Sequence, residues 1–200
     1  MSKRFFISDM HFNSMSLISE NIRPFKTVEK MNETILHNVN QRCKEDDILI
    51  SCGDVCQFGN DRKYGGVKIN PREFTSKINA TFVNIKGNHD DNNKVKSVCE
   101  SMRTSLGKKY TSVSISHYPS NDPRAAGTFR RGDIHIHGHI HCRKGRNGEV
   151  VKPPKYTIDF TNKVLNINVN CELWNYNPIS EDELIQLIDN IMRSNGNLVV

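Results

Sequence analysis

The tetrad Gly87-Asn88-His89-Asp90, directly after the apolar run Phe82-Val83-Asn84-Ile85, constrains the fold of this chain more than any other stretch. A glycine after a strand permits a sharp turn, and the next three residues set an amide oxygen, an imidazole and a carboxylate at one strand end. Alone, an Asn-x-Asp stretch is an ordinary turn. The arrangement recurs, however. Residues 3–8 run into Asp9-Met10-His11, 47–51 into Cys52-Gly53-Asp54, 110–116 into His117, and 133–137 into Gly138-His139-Ile140-His141. In α/β sheets ligands gather outside the carboxyl ends of strands, so groups far apart in sequence can converge there.

Between these strands the pattern alternates with helices, which predicts a layered α/β fold. Val28, Met31, Ile35 and Val39 have helical spacing over 27–42, with Thr27 as N-cap. A polar loop is expected over 58–70. A short helix then opens at Asn70-Pro71 and runs to about Ile78, and 93–102 also reads as helical. Residues 156–160 and 164–169 suit a hairpin around Thr161-Asn162. The last helix opens at Ser180 with a capping box and runs through Leu184, Ile188 and Ile191 to a stop at Gly196.

A chain of 200 residues suits a single domain spanning 1–200, with a core that needs no disulfides. No apolar run approaches the ~18–20 residues of a bilayer span, and the start enters a strand without a leader-like segment, so a cytoplasmic protein without membrane contact is expected. The six cysteines lack a Cys-x-x-Cys spacing and read as free thiols, which argues against a thiolate metal site. The net charge of +6 favours anionic partners by steering. The local basic clusters, at 103–109, 130–131 and 143–146, lack interleaved aromatics and read as solvated surface.

The ordered set Asp-x-His, Gly-Asp, Gly-Asn-His-Asp, His and Gly-His-x-His resembles the calcineurin-like metallophosphoesterase superfamily over about residues 3 to 142. Arg23-Pro24-Phe25, His117-Tyr118-Pro119 and the 169–180 segment are similar to its small bacterial and phage members. The resemblance implies a four-layer α/β/β/α sandwich and two divalent transition-metal ions. Asp9, His11 and His141 would hold one ion, Asn88, His117 and His139 the other, and Asp54 would bridge them. Carboxylate, imidazole and amide donors without thiolate suit Mn²⁺ first, with Fe, Zn²⁺ or Ni²⁺ as alternatives. Such pairs, about 3.5–4 Å apart, generate a hydroxide nucleophile and clamp an in-line phosphoryl displacement. The resemblance assigns His89 as the acid for the leaving group, with Asp90 orienting it.

His135 and His137 precede Gly138 on one side of a strand and read as packed or supporting residues rather than ligands. Asp133 and His37 read as structural. The Gly-Asp motif continues as Val55-Cys56-Gln57 rather than the Asp-Arg-Gly of the protein Ser/Thr phosphatases, and the length leaves little room for the capping domains of large nucleases. The expected substrate is therefore a small or nucleotide-type phosphodiester. A DNA or RNA nuclease, a phosphomonoesterase and a catalytically silent metal-binding scaffold are the alternatives. Arg23 and Arg124, with Arg130 behind them, are candidates to bind phosphate oxygens.

Overall fold

The computed structural model describes residues 2–57, 62–65 and 69–194. Its elements in chain order are β1 (Arg4–Ile7), α1 (Met15–Ser19), α2 (Val28–Arg42), β2 (Ile48–Ser51), α3 (Arg72–Thr75), β3 (Thr81–Asn84), β4 (Ser101–Leu106) and β5 (Tyr110–Ser116). β6 (Ile134–His137), β7 (Arg143–Lys144), β8 (Val150–Val151), β9 (Tyr156–Asp159), β10 (Val164–Asn168), β11 (Ile179–Ser180) and α4 (Glu181–Ser194) follow. The first sheet has the order β11-β1-β2-β3, with β1, β2 and β3 parallel and β11 antiparallel. The second has the order β4-β5-β6-β10-β9, parallel at its centre and antiparallel at both edges. A small antiparallel hairpin, β7-β8, stands apart from both.

The parallel strands are apolar on both faces, and two cores result. Phe5, Ile7 and Leu49 face α2, which buries Val28, Met31, Ile35 and Val39 against them. Phe6 and Ile50 face the other way and meet Val113, Ile115, Ile134, Ile136, Leu165 and Ile167 of the second sheet. α4 contributes Leu184, Ile188 and Ile191 to this inter-sheet core, at the edge where β11 and β4 lie. The outer face of the second sheet carries Ser114, His135 and Asn166. It lies under the irregular segment 118–129, which bonds to it through Tyr118, Ser120 and Thr128.

Local chemistry explains the element ends. Thr27 accepts the Lys30 amide hydrogen as the N-cap of α2, a contribution of about 1 kcal/mol. At α4, Ser180 Oγ accepts from the Glu183 amide while Glu183 accepts from the Ser180 amide, the reciprocal capping box read from the sequence. The expected stop of α4 at Gly196, and most of the loop over 58–70, lie outside the described residues. One reading is corrected: 93–102 is not a helix. It forms turns in which Lys94 takes a left-handed conformation (φ 57°), and 101–106 becomes β4. Its Ser/Thr-rich alternation satisfies its backbone against β5, which a helix lacking an apolar stripe offered no gain over. All six cysteines are free, and among the described residues no helix is long and apolar enough to cross a membrane.

Candidate metal centre

The C-terminal ends of β1, β2, β3, β5 and β6 meet, and the residues that follow them face one another. Asp9 (φ 57°), His11 (46°), Asp54 (56°) and His139 (68°) all sit in the left-handed region. Non-glycine residues there typically cost about 1–3 kcal/mol each, though Asp, Asn and His tolerate it best. Backbone bonds lock the turns: Asp9 N–H donates to Gly53 O and His11 N–H to Asp54 O, both at 3.0 Å. Gly87 and Gly138 are required by close approach. A Cβ on Gly87 would collide with the Asp54 carboxylate, and one on Gly138 with Ser8 Oγ and the Asp9 carboxylate.

Two donor groups result. In the first, His141 Nε2 lies 3.0 Å from Asp9 Oδ1 and 2.9 Å from His11 Nε2, and His11 Nε2 is 3.7 Å from Asp54 Oδ2. Asp9, His11, Asp54 and His141 each offer one ligand atom within 4.8 Å of the others. In the second, His117 Nε2 lies 3.3 Å from the same Asp54 Oδ2, 3.0 Å from Asn88 Oδ1 and 3.2 Å from His139 Nδ1. The structure thus brings together all seven residues expected as ligands, with Asp54 between the two groups.

The surroundings prepare these nitrogens. His117 Nδ1 donates to Cys52 O at 2.7 Å, which leaves Nε2 as the free lone pair. His141 Nδ1 faces Glu172 Oε1 at 3.1 Å with the same consequence. Burial opposes charge on His141, but Asp9 and Glu172 override it and push its pKa up to about 10. Burial likewise opposes His117, yet its bond to Asp54 and the Asp9 charge raise it to about 8. His11 and His139 are pushed down to about 4, chiefly by burial, with His141 and His117 adding repulsion. Asp54, although buried, is held at about 2 by His117 and His11, and Asp9 is also held well below the usual carboxylate range by His141. The site therefore concentrates ionised carboxylates that draw positive charge inward.

A divalent ion fits this environment. Asp9 Oδ1 is buried without a hydrogen-bond partner, with His141 Nε2 3.0 Å and His11 Nε2 3.8 Å away, a carboxylate oxygen and two ring nitrogens that a divalent ion would hold once it displaces the His141 proton. Mixed carboxylate and imidazole donors suit borderline divalent transition metals.

His89 stands at the mouth, a quarter exposed, with Nε2 4.0 Å from Asp54 Oδ2 and its ring edge-on to His11. Its backbone N–H donates to Asp54 Oδ1 at 2.8 Å. Asp90, expected to orient the His89 imidazole, does something else. Its fully buried carboxylate accepts from the amides of Asp54, Val55 and Gly87 and from Asn84 Nδ2, tying the loops after β2 and β3 together. Burial raises its pKa, partly countered by those bonds. Arg23 is also placed differently. Its guanidinium is buried against Glu172 Oε1 (2.8 Å) and the Met10 and Asp9 carbonyls, beneath the first group, out of reach of a substrate. Arg124 is exposed, stacked on Tyr118 at 4.1 Å, with Nη2 3.0 Å from His139 Nε2. Arg130 contributes its amide to Asp133 Oδ2. His135 and His137 are buried, His135 between Ser114 and Ser116, as packed residues. Asp133 accepts from Arg103 and Ser112.

Glu172 is the residue the sequence reading missed. It sits in the 3-10 turn Cys171–Trp174 after β10, and the strand-end rule applied to β10, the parallel neighbour of β6, points to it.

The chain is 30% identical over 192 residues to an uncharacterized protein of Methanocaldococcus jannaschii, covering 94% of this chain and 93% of that one. It also superposes on the crystal structure of a protein of unknown function from Aquifex aeolicus, with a TM-score of 0.64 at 25% identity, covering 94% of this chain and all of the other. The model of the calcineurin-like phosphoesterases matches residues 3–186, and the chain belongs to that family of metal-dependent hydrolases of phosphoester bonds.

Proposed function

We propose that the protein hydrolyses a phosphodiester of small or nucleotide type at a dinuclear centre held by Asp9, His11, Asp54, Asn88, His117, His139 and His141. The observation that carries this reading is the position of Asp54 Oδ2, within 3.7 Å of His11 Nε2 and 3.3 Å of His117 Nε2, a carboxylate oxygen common to both donor groups. Divalent ions held there would supply Lewis acidity and lower the pKa of water, and Mn²⁺ is the first candidate.

The chain's own residues do the rest. Asp9 and Asp54 hold the negative charge that fixes the ions, while Cys52 O and Glu172 fix the tautomers of His117 and His141. His89, facing the centre through Nε2, delivers a proton from that atom to the departing oxygen. Arg124 contacts the non-bridging oxygens from the exposed side. Next to Asn88 and His117 a cleft of about 220 Å³, lined by Lys86, Tyr118 and Arg124, receives one ester substituent. Both cations are already paired, Lys86 with Asp91 at 2.7 Å and Arg124 with Asp122 at 2.6 Å. Charge balanced in this way suits a monoanionic diester better than a dianionic monoester.

Protein reconstituted with Mn²⁺ is expected to hydrolyse bis-p-nitrophenyl phosphate faster than p-nitrophenyl phosphate. Inactivity on both esters, with no stoichiometric metal bound, would overturn the reading. His89→Ala should retain metal yet lose about 10²–10⁴-fold in turnover of a dinucleotide, whose alkoxide needs a proton. On the nitrophenyl diester, whose leaving group departs as a stable anion, the loss should be smaller. Loss of metal from this variant would show that His89 is a ligand and not the acid.

A further inference from the structure

Several arginines and lysines have a carboxylate partner, as in Arg4–Glu181, Arg42–Glu183, Arg103–Asp133 and Lys109–Asp189. The β7-β8 hairpin is different. Residues 143–152 carry Arg143, Lys144, Arg146 and Lys152 against a single carboxylate, Glu149, so half of the chain's net charge of +6 sits on ten residues. Among the described residues none of these four cations has an ion-pair partner, and the strands β7 and β8 are exposed throughout. The hairpin begins two residues after His141, so this charge rises from the rim of the centre.

At its base, where Val151 pairs with Arg143 and the chain leaves β8, a pocket of about 210 Å³ is lined by Pro119, Ile140, Pro153, Pro154 and Tyr156, with His137 and Asn168 also lining it. Ile140, between His139 and His141, joins the pocket to the centre. His137 is 3% exposed, and its Nδ1 donates to Gly138 O at 2.7 Å, which makes Nε2 an acceptor. Flat apolar walls, a ring at the rim and a buried acceptor suit a planar heterocycle that carries N–H groups.

We infer that the hairpin and this pocket form a binding track for single-stranded polynucleotide, in which Arg143, Lys144, Arg146 and Lys152 follow the phosphates while an unstacked base enters the pocket beside Tyr156. The inference rests on the phosphodiesterase reading and extends its substrate from a nucleotide-type diester to the polymer. Cationic strands that track a backbone, with an aromatic beside a base, are the means by which proteins bind single strands without sequence preference. A duplex keeps its bases stacked and has none to offer the pocket. Val150 and Val151, each 39% exposed, are the hairpin's exposed aliphatics, a small area for membrane insertion.

The test compares the parent protein with the variant Arg143→Gln/Lys144→Gln/Arg146→Gln/Lys152→Gln. It measures hydrolysis of bis-p-nitrophenyl phosphate, hydrolysis of a 20-nucleotide single strand, and anisotropy of the same labelled strand. The variant should hydrolyse the small diester within twofold of the parent and lose at least tenfold in kcat/KM and affinity for the oligonucleotide. Its slope of log affinity against log salt should shrink by about 3, at about 0.7 per phosphate contact on single strands. Tyr156→Ala should weaken oligonucleotide binding without changing that slope. Unchanged oligonucleotide binding in the fourfold variant overturns the inference, as does tighter binding of the matching duplex, or binding of anionic phospholipid vesicles in place of oligonucleotide. Parent protein that binds the oligonucleotide through the hairpin but hydrolyses neither ester supports the track and overturns the phosphodiesterase reading. Hydrolysis of the small diester with no oligonucleotide binding does the reverse.

Discussion

The two halves of the centre are held by different kinds of contact. Beneath Asp9, His11 and His141 the support is ionic and buried. Arg23, 2% exposed, bonds to Glu172 and to the carbonyls of Asp9 and Met10, and Glu172 in turn bonds to His141 Nδ1 and the Cys142 amide. Around Asn88, His117 and His139 the support is mostly backbone, through Cys52 O and the turn after β3, and this side opens onto the cleft with Arg124 at its rim. A buried ion pair resists rearrangement because removing one partner leaves the other charged and unpaired. A backbone-held site beside a cleft can exchange ligands more freely. The contrast predicts a firmly held ion on the Asp9 side and a more exchangeable one on the Asn88 side.

The largest effect is expected where the contrast vanishes, at Asp54. Asp54→Asn removes charge from both halves at once and should lower kcat/KM for bis-p-nitrophenyl phosphate by about three orders of magnitude, equivalent to about 4 kcal/mol of barrier. Metal content measured after dialysis should fall for both ions together. If one ion stays at full occupancy, Asp54 belongs to one half and the shared-oxygen assignment fails.

Glu172→Gln separates the halves. It keeps the size of the side chain but removes the charge beneath His141, and changes to groups that orient a metal ligand typically cost about 10–100-fold in affinity. That loss should fall on the firmly held ion, read by chelator competition, while the second dissociation constant stays within about threefold. Equal weakening of both would mean that coupling through Asp54 outweighs the separate supports.

The same division explains how much could be read in advance. The turns that carry the seven proposed ligands were legible because each follows a short strand and uses residue types with little other reason to recur there; Asp9, Asp54 and His139 even announce their left-handed backbone by being Asp or His. The strands ahead of them and the capping box at Ser180 were legible for equally local reasons. The supports were not, because they are tertiary. Nothing near Arg23 says that its guanidinium will reach a carboxylate 149 residues away, so an arginine before a proline looked like a phosphate contact. Asp90 next to His89 suggested a dyad, but the turn at Gly87 directs its carboxylate at the amides of the neighbouring loop. The 93–102 segment failed for a related reason: pairing with β5, invisible locally, decided it.

Arg124 gives the smallest effect and the finest test of the open side. Its guanidinium is roughly half exposed, shares its charge with Asp122 and stacks on Tyr118, so water and the ion pair both screen what it offers a substrate. Exposed charge contacts are typically worth about 0.2–1 kcal/mol, which for Arg124→Gln translates into a rise in KM of up to about fivefold for a phosphodiester, with kcat nearly unchanged. Both metal affinities should remain at the parental level, because this side is open and water can take the place of the guanidinium at His139 Nε2. If instead kcat falls and the exchangeable ion weakens, Arg124 positions His139 and the second half has a side-chain support after all. The two halves would then differ in burial but not in the kind of contact that holds them.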